Sequence, residues 1–188
     1  MPLPQTELEA RARRIRLLLL DCDGVLTDGS VIYTVTGEDV AESTKVFHIH
    51  DGQGLRLAKQ AGLKLGLISG RASLALQTRT RELSFDYLHQ GVADKLTVYE
   101  QLRAASQFTD KQIAYVGDDL PDLPILRRAG LAIAIAVADA VPEVLAQAHY
   151  VTQRAGGRGA VREAVELILK ARQQWEAVLQ PYLPKGQP

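Results

Sequence analysis

The sequence predicts an α/β fold, with a Rossmann-like open parallel sheet, helices on both faces and a protruding β-hairpin. Short apolar runs alternate along the chain with segments of helical spacing, which is typical of an α/β architecture. The runs are continuously apolar, as expected for parallel strands covered on both faces. One region rich in β-branched residues interrupts the alternation and indicates the hairpin.

The predicted elements follow in chain order. The four apolar runs expected to be strands are Ile15–Leu20, Leu63–Ile68, Gln112–Val116 and Leu131–Val137. The predicted helices are Gly54–Ala61, Ala72–Leu83, Lys95–Ala105, Pro121–Ala129, Val141–Ala148 and a last one from about Gly159 to Leu179. Right-handed crossovers would join successive strands.

The hairpin is expected at about residues 30–47. Ser30–Val35 and Val40–Phe47 are rich in β-branched residues and flank Thr36–Asp39, where Gly37 would supply the turn. Residues 15–180 are expected to form one domain, preceded by an N-terminal extension (1–14). The tail at 181–188, with its prolines and a glycine, is expected to be frayed.

Composition and charge exclude several classes of protein. The 188 residues carry 22 Lys+Arg and 22 Asp+Glu, so a net charge of zero favours neither nucleic acid nor an anionic membrane. The longest apolar run, Leu131–Ala138, is far shorter than the roughly 18 residues of a membrane span. Asp21 ends the first apolar run too early for a signal peptide. The single cysteine, Cys22, fits a reducing compartment, so a cytoplasmic protein is expected.

Chemically active residues follow the predicted strands. Because ligands bind at the carboxyl ends of strands in open α/β sheets, the informative segments are Asp21–Gly24, Ser69–Arg71 and Gly117–Asp119. Lys95, at the head of a predicted helix, would project toward the same edge. The sequence therefore predicts a site there.

Five carboxylates from two strand ends would gather at this site, and they belong to Asp21, Asp23, Asp118, Asp119 and Asp122. Two bare carboxylates about 4 Å apart repel by about 4 kcal/mol at an effective dielectric near 20, so such a cluster needs a cation. Hard oxygen ligands favour Mg²⁺, which also accepts a phosphate oxygen. The alternative is that these aspartates cap helices and turns.

The segment Asp21–Asp28 resembles the first motif of the haloacid dehalogenase superfamily, DxDGxxxD. Ser69 matches the second motif, Lys95 the third, and Gly117–Asp122 the fourth, GDDxxD. All four motifs occur in order at the expected strand or helix ends. The resemblance implies a phosphatase.

The resemblance also implies a role for each matched residue. Asp21 would be the nucleophile, and Asp23 would be the general acid and base. Ser69 and Lys95 would bind the phosphoryl oxygens. Mg²⁺ would be held by the Asp21 side chain, the Asp23 main-chain carbonyl and Asp118, while Asp122 and Asp119 would orient the waters of the ion.

Motif spacing implies that the chain has no cap domain. Cap domains in this superfamily are inserted after the first motif or between the second and third. Only 48 positions separate Asp21 from Ser69, and 26 separate Ser69 from Lys95. The second interval has room for one helix and a short strand. Loops or a neighbouring subunit would then close the site.

Further blocks resemble the family of 3-deoxy-D-manno-octulosonate 8-phosphate phosphatases over about Ile15 to Lys170. The blocks are Phe47–Arg56, Ile68–Arg71, Gln90–Gly91 and Ala155–Glu163. The resemblance implies a homotetramer with shared active sites, a role in lipopolysaccharide synthesis, and a phosphorylated sugar acid as substrate. The residues implied to bind the substrate are His48, Ile49, His50, Asp51, Gly52, Arg56, Gly70, Arg71, Arg79 and Lys95.

Departures from the family pattern leave alternatives open. The family usually reads Phe-Asn-Val-Arg-Asp-Gly where this chain reads Phe47–Gly52 with His48 and His50, expected to alternate on one face of a strand. The loss of an arginine leaves a nine-carbon sugar acid 9-phosphate open as the substrate. A non-catalytic tetramerisation module is a further alternative. The Gly156–Arg162 segment would be either a flexible lead into the last helix or a loop that closes a neighbouring site.

Overall fold

A computed structural model describes residues 2–36, 39–128 and 130–184. The predicted turn residue Gly37 and the last four residues of the tail lie outside the described residues, as does Ala129, the expected end of a helix. In chain order the strands are β1 (Leu17–Leu20), β2 (Ile32–Thr36), β3 (Asp39–Thr44), β4 (Lys64–Ile68), β5 (Tyr87–His89), β6 (Ile113–Gly117), β7 (Ile133–Ala136) and β8 (Tyr150–Val151). The helices are α1 (Gln5–Ala12), α2 (Ile49–Gln60), α3 (Leu74–Glu82), α4 (Lys95–Ser106), α5 (Leu123–Leu126), α6 (Pro142–Leu145), α7 (Ala160–Ala171) and α8 (Trp175–Leu179).

A parallel sheet of strand order β5-β4-β1-β6-β7-β8 forms the centre of the molecule. The four leucines of β1 are fully buried between β4 and β6, as the continuous apolar pattern predicts. After β1 the chain adds β4 and then β5 on one side of this strand. It then crosses to the other side of β1 and adds β6, β7 and β8 in turn. Right-handed crossovers therefore place the helices on both faces. The predicted fold class is confirmed.

The helices form two packed groups. On one face α7 packs against α1 and α2, and on the other α5 contacts both α4 and α6. β2 and β3 pair with each other as an antiparallel hairpin outside the main sheet. In the described residues, the interval between β1 and β4 holds the hairpin and α2, and the interval between β4 and α4 holds α3 and β5. Neither interval contains a cap, as predicted.

The N-terminal segment and the described start of the tail both contact the rest of the domain. The segment expected to be an extension forms α1, which buries Leu8 and Ala12 and packs against α7. Tyr182, expected in the frayed tail, lies in a short 3₁₀ helix, and its hydroxyl accepts a hydrogen bond of 2.8 Å from Gln53 of α2. Buried apolar side chains hold α1 in place, and the hydrogen bond from Gln53 ties Tyr182 to α2.

The predicted last helix is broken into α7 and α8. Gln173 adopts a left-handed conformation with φ of 58°, and the Gln174 N–H donates to the Leu169 carbonyl at 2.9 Å. This hydrogen-bond pattern ends helices in a Schellman motif. Among the described helices, none combines the length and apolar character needed to cross a membrane.

Candidate active site

Three aspartates meet at the carboxyl edge of the sheet. Asp21 follows β1, and Asp118 and Asp122 follow the neighbouring strand β6. One carboxylate oxygen from each residue lies within 4.8 Å of the other two. The structure thus brings together three of the five predicted carboxylates, at the edge where the fold predicts a site.

Gly24 allows the first-motif turn to approach Asp118. Its φ of +91° is a conformation that residues with a side chain rarely adopt. A Cβ at this position would lie 1.9 Å from Asp118 Oδ2. The glycine is therefore required by both the backbone conformation and the contact.

Lys95 contributes a positive charge to the cluster. Asp94 caps α4 by accepting a 3.0 Å hydrogen bond from the Leu96 N–H, which places Lys95 in the first helical turn. Lys95 Nζ lies 2.8 Å from Asp21 Oδ1 and 2.7 Å from Asp122 Oδ1. Although burial lowers it, the two carboxylates raise the pKa of Lys95 above its usual value. The lysine therefore remains charged.

Asp122 organises this edge and is completely buried. Its Oδ1 accepts hydrogen bonds from Lys95 and from the Tyr115 hydroxyl at 2.6 Å. Its Oδ2 accepts from the backbone N–H groups of Asp118 at 3.0 Å and Asp119 at 3.3 Å. Because protein donors contact both oxygens, Asp122 holds Lys95 and the backbone that carries Asp118.

The carboxylates of Asp21 and Asp118 have too little positive charge around them to offset their own negative charge. Burial, followed by the neighbouring carboxylate of Asp122, raises the pKa of Asp21 to about 6. Burial, followed by the charges of Asp21 and Asp122, raises the pKa of Asp118 to about 8. Among the described residues, Asp118 Oδ1 is buried with no hydrogen-bond partner. A divalent cation with a preference for oxygen ligands, such as Mg²⁺, fits this donor set.

Asp23, the predicted general acid and base, is not one of the three residues whose carboxylate oxygens form this cluster. Its side chain is half-buried and 26% exposed. Asp23 Oδ1 accepts a hydrogen bond from Nζ of Lys45, the residue that follows β3, and the Lys45 side chain is 4% exposed. The base of the hairpin thereby contacts the first motif.

The second-motif segment follows β4 at the same edge. Ser69 is fully buried, and its hydroxyl donates to the Arg71 carbonyl at 3.0 Å. A Cβ at Gly70 would make an ordinary contact of 3.7 Å with the Val92 carbonyl. Hydrogen bonding to the hydroxyl of Tyr33, on the hairpin strand β2, raises the pKa of the Arg71 guanidinium. The hairpin therefore also contacts one of the predicted substrate-binding arginines.

Two further predicted arginines lie together between α2 and α3. Arg56 and Arg79 both pair with Glu82, at 2.8 and 3.0 Å. The Arg79 guanidinium lies 5.7 Å from the ring centroid of Phe47, and a Cβ on Gly52 would meet Arg79 at 2.2 Å. Gly52 is thus a close neighbour of the arginine, and the pair of arginines forms a basic group beside the start of α2.

The expectation that His48 and His50 lie on a strand is wrong. His48 is the N-cap of α2, and its Nδ1 accepts the His50 backbone N–H at 3.3 Å. The two rings are 5.0 Å apart in an edge-to-face arrangement, and Ile49 between them is 76% exposed. The apparent alternation arises because a helix begins within it.

Two predicted side chains are used at helix N-termini. Asp51 is 1% exposed and accepts backbone hydrogen bonds from Gly159 at 3.1 Å and Arg162 at 2.7 Å. Burial raises the pKa of Asp51. The Asp51 carboxylate therefore anchors the start of α7. Asp119 caps the next 3₁₀ helix by accepting from the Leu120 N–H at 2.7 Å.

The glycine loop before α7 packs on the first motif of its own chain. The Gly157 N–H donates to the Val25 carbonyl at 2.9 Å, and Gly157 has a φ of +59°. A Cβ on Gly156 would lie 1.7 Å from the Gly24 carbonyl oxygen. Arg158 pairs with Asp28 at 2.9 Å. The loop therefore braces the turn that carries Asp23.

Sequence reasoning did not identify three residues that contact the site. Lys45 lies in a polar stretch, Tyr115 lies in an apolar run, and Tyr33 lies in a β-branched segment. Each looks ordinary in its local pattern, since its partner belongs to another element. A tyrosine inside a fully buried strand carried a weak signal, because a buried hydroxyl needs a partner.

The fold and the acidic site define a hydrolase of the haloacid dehalogenase-like class. A family model described as haloacid dehalogenase-like hydrolase matches residues 72–164. The structure is similar to that of a probable YrbI-family phosphatase from Pseudomonas syringae, with a TM-score of 0.90 and 41% identity over 96% of this chain and 99% of that one.

Curated relatives define the family more narrowly. The chain is 43% identical to the 3-deoxy-D-manno-octulosonate 8-phosphate phosphatase KdsC of Yersinia pestis over 88% of this chain and 86% of the relative. It also matches the Moraxella catarrhalis enzyme of that name, solved in complex with a magnesium ion, a phosphate ion and KDO, with a TM-score of 0.88 and 38% identity. The match covers 95% of this chain and 99% of the Moraxella chain. The protein belongs to the 3-deoxy-D-manno-octulosonate 8-phosphate phosphatase family.

Proposed function

We propose that the protein is a Mg²⁺-dependent phosphatase that hydrolyses 3-deoxy-D-manno-octulosonate 8-phosphate to the free sugar acid and phosphate. The observation that carries the proposal is the cluster of Asp21, Asp118 and Asp122 around Lys95, with ligand atoms within 4.8 Å of one another. Family membership supports the substrate. The product would be used in lipopolysaccharide synthesis.

Asp21 and Asp23 divide the reaction into two steps. An oxygen of Asp21 attacks phosphorus, and the bond from phosphorus to the sugar oxygen breaks while Asp23 gives that oxygen its proton. Asp23 then takes a proton from water, whose oxygen attacks the phosphoryl group and releases Asp21. The partial exposure of Asp23 supports this role, because a side chain that is 26% exposed is open to solvent.

The other site residues bind and orient the phosphate. Lys95, 2.8 Å from Asp21, lowers the repulsion between the nucleophile and an anionic substrate. Ser69 lies at the neighbouring strand end and would donate its hydroxyl to a phosphoryl oxygen. Mg²⁺ would be held by the side chains of Asp21 and Asp118 and the main-chain carbonyl of Asp23, and would supply positive charge for binding the phosphate.

The sugar acid would be recognised by basic groups around the start of α2. Arg71 is exposed beside the hairpin, and Arg56 and Arg79 both pair with Glu82, with Arg79 lying over Phe47. Arginine forks suit carboxylates and phosphates. Glu82 holds two of these arginines, so their role requires that the substrate carboxylate compete with it.

The proposed assembly is a homotetramer in which hairpins of neighbouring subunits complete each site. Val31, Ile32 and Tyr33 of the hairpin region are 43%, 43% and 62% exposed, which supports an interface. Light scattering during gel filtration tests the assembly, and a monomer would exclude it.

The single cysteine, Cys22, is buried and free, in keeping with a cytoplasmic location.

Phosphate release tests the function. The substrates are 3-deoxy-D-manno-octulosonate 8-phosphate and a nine-carbon sugar acid 9-phosphate, each with Mg²⁺ and with a chelator. We expect Mg²⁺-dependent turnover with preference for the eight-carbon substrate. Asp21→Asn, which removes the nucleophile with little change of shape, should abolish it.

Each other outcome has a defined meaning. Preference for the nine-carbon acid would keep the mechanism and change the substrate. A folded tetramer that hydrolyses neither compound would contradict the proposal and support a tetramerisation module.

A further inference from the structure

Lys45 occupies an unusual position for a lysine. Its side chain is 4% exposed, although lysines are almost never buried unless paired. Lys45 Nζ contacts Asp23 Oδ1, and this carboxylate is the partner that offsets the cost of burying the ammonium. The pairing joins the end of β3 to the first motif, 22 positions earlier in the chain.

The backbone around Asp23 is fixed by other contacts. The Leu26 N–H donates to the Cys22 carbonyl at 2.9 Å, and the Gly157 N–H donates to the Val25 carbonyl at 2.9 Å. These hydrogen bonds hold the turn and do not involve the Asp23 side chain. Among the described residues, Lys45 is the side chain that the structure shows in contact with the Asp23 carboxylate.

We infer that Lys45 is a positioning residue for the general-acid step, which orients the Asp23 carboxyl group toward the departing sugar oxygen. The inference rests on the proposed function. Proton transfer requires the donor within about 2.6–3.2 Å of the acceptor, so a rotating carboxyl group is a poor acid. Because the Lys45 ammonium occupies Oδ1 of Asp23, the proton to be donated is carried by Oδ2 of the same carboxyl group. When the bond from phosphorus to oxygen breaks, the departing oxygen keeps the electron pair and takes this proton.

The pairing also makes the hairpin part of the catalytic apparatus. β3 ends one residue before Lys45, and Tyr33 of β2 contacts Arg71 on the other side. The position of the hairpin therefore determines the orientation of both the Asp23 carboxyl group and the proposed substrate-binding residue Arg71. Displacement of the hairpin would release the Asp23 side chain.

The test compares leaving groups that do and do not need an acid. Variants Lys45→Met and Lys45→Arg are assayed for kcat/KM with 3-deoxy-D-manno-octulosonate 8-phosphate and with 4-nitrophenyl phosphate, whose phenolate departs without protonation. This constant covers events up to departure of the leaving group, so it isolates the acid step from the attack of water. Lys59→Met is the control, because Lys59 also pairs with an aspartate, Asp86, at 2.7 Å.

We expect Lys45→Met to lower kcat/KM for the sugar acid phosphate by about 10- to 100-fold, part of the 10²- to 10⁴-fold that a general acid contributes. The aryl phosphate should change by less than about 3-fold, since its first step does not use the acid. Lys45→Arg should restore most of the loss, and Lys59→Met should leave both substrates unaffected. Thermal unfolding of each variant verifies that it is folded.

Equal losses for both substrates, or no loss for either, would overturn the inference. Failure of the proposed function gives a different result, because the wild-type protein would then not hydrolyse the sugar acid phosphate. In that case glycerol phosphate takes its place as the alkyl substrate, and the comparison with 4-nitrophenyl phosphate still tests Lys45.

Discussion

Asp122 is the residue on which the geometry of the acidic edge depends. It lies between Lys95, Tyr115 and the backbone at Asp118, and none of its surface is exposed. A buried carboxylate with four donors is rigid, since any rotation would leave buried polar groups without partners. The nucleophile Asp21 thus meets a lysine whose position is fixed by residues that never touch the substrate.

Removal of the Tyr115 hydroxyl should disturb this arrangement. Tyr115→Phe keeps the ring in the core but deletes one donor to Asp122, so Lys95 is held less firmly. We expect kcat/KM to fall on the order of 10-fold, as for other residues that orient a reactive group indirectly. Steady-state kinetics with the sugar acid phosphate measures it.

The chain offers a matched control in Tyr99→Phe. Tyr99 is also fully buried, and its hydroxyl also donates to an aspartate, Asp110, at 2.6 Å, the distance found for Tyr115 and Asp122. Both variants should lose about 1–2 kcal/mol of stability, while Tyr99→Phe keeps full activity. Equal activities of the two variants would contradict the account of Asp122.

At the scale of elements, the sequence predicts a strand or helix wherever the pattern is long and locally determined. The apolar run of β1 is of this kind, since it consists of consecutive residues. Asp21 and Lys95 are also predicted, because each belongs to a short local motif. The sequence does not predict β8, because two residues show no periodicity. Helix α2 begins earlier than expected because His48 caps it. The burial of the Lys45 side chain is not predicted either, because it depends on a contact with a turn that is distant in the sequence.

Asp86 ties three elements together and should make the fold sensitive to acid. It accepts hydrogen bonds from Lys59 of α2 at 2.7 Å, from Lys64 of β4 at 2.8 Å and from the Leu65 N–H at 2.9 Å. Although burial raises it, the hydrogen bonds from Lys59 and Lys64 lower the pKa of Asp86 below 3.8. The stabilisation is therefore present above that pH and lost as the pH falls through the lowered pKa.

Asp86→Asn tests this linkage. At neutral pH the variant should unfold about 1–3 kcal/mol more easily, because hydrogen bonds to a charged acceptor are lost. Below pH of about 4 the difference from the wild-type protein should shrink, since Asp86 itself becomes protonated. Urea unfolding at a series of pH values measures it, and a difference that stays constant with pH would contradict the assignment.

At the scale of the whole molecule, the metal site should couple the cation to stability. Because the pKa of Asp118 is raised to about 8 by burial and the neighbouring carboxylates, its ionised form opposes folding when no cation is bound. A folded-state pKa above the unfolded value means that this penalty grows as the pH rises from about 4 to 8. Mg²⁺ would remove the penalty by binding the ionised carboxylate.

The prediction is that Mg²⁺ stabilises the wild-type protein more than Asp118→Asn. With a chelator at pH of about 9, where Asp118 is ionised, Asp118→Asn should melt at the higher temperature. With Mg²⁺ at 100 times its dissociation constant, the wild-type protein should gain about 2.7 kcal/mol, and the variant, which lacks one ligand, should gain less. Thermal melts under both conditions measure the two gains. An equal gain for the two proteins would contradict the metal site.

Asp21 is expected to become phosphorylated during turnover. The most direct measurement is acid quenching of the Asp23→Asn variant during reaction with 4-nitrophenyl phosphate and Mg²⁺, followed by mass spectrometry of its peptides. We expect one phosphoryl group on the peptide that contains Asp21, since the first step needs no acid with this leaving group and the second step lacks its base. Steady turnover with no phosphorylated peptide, or a phosphoryl group on a different residue, would contradict it.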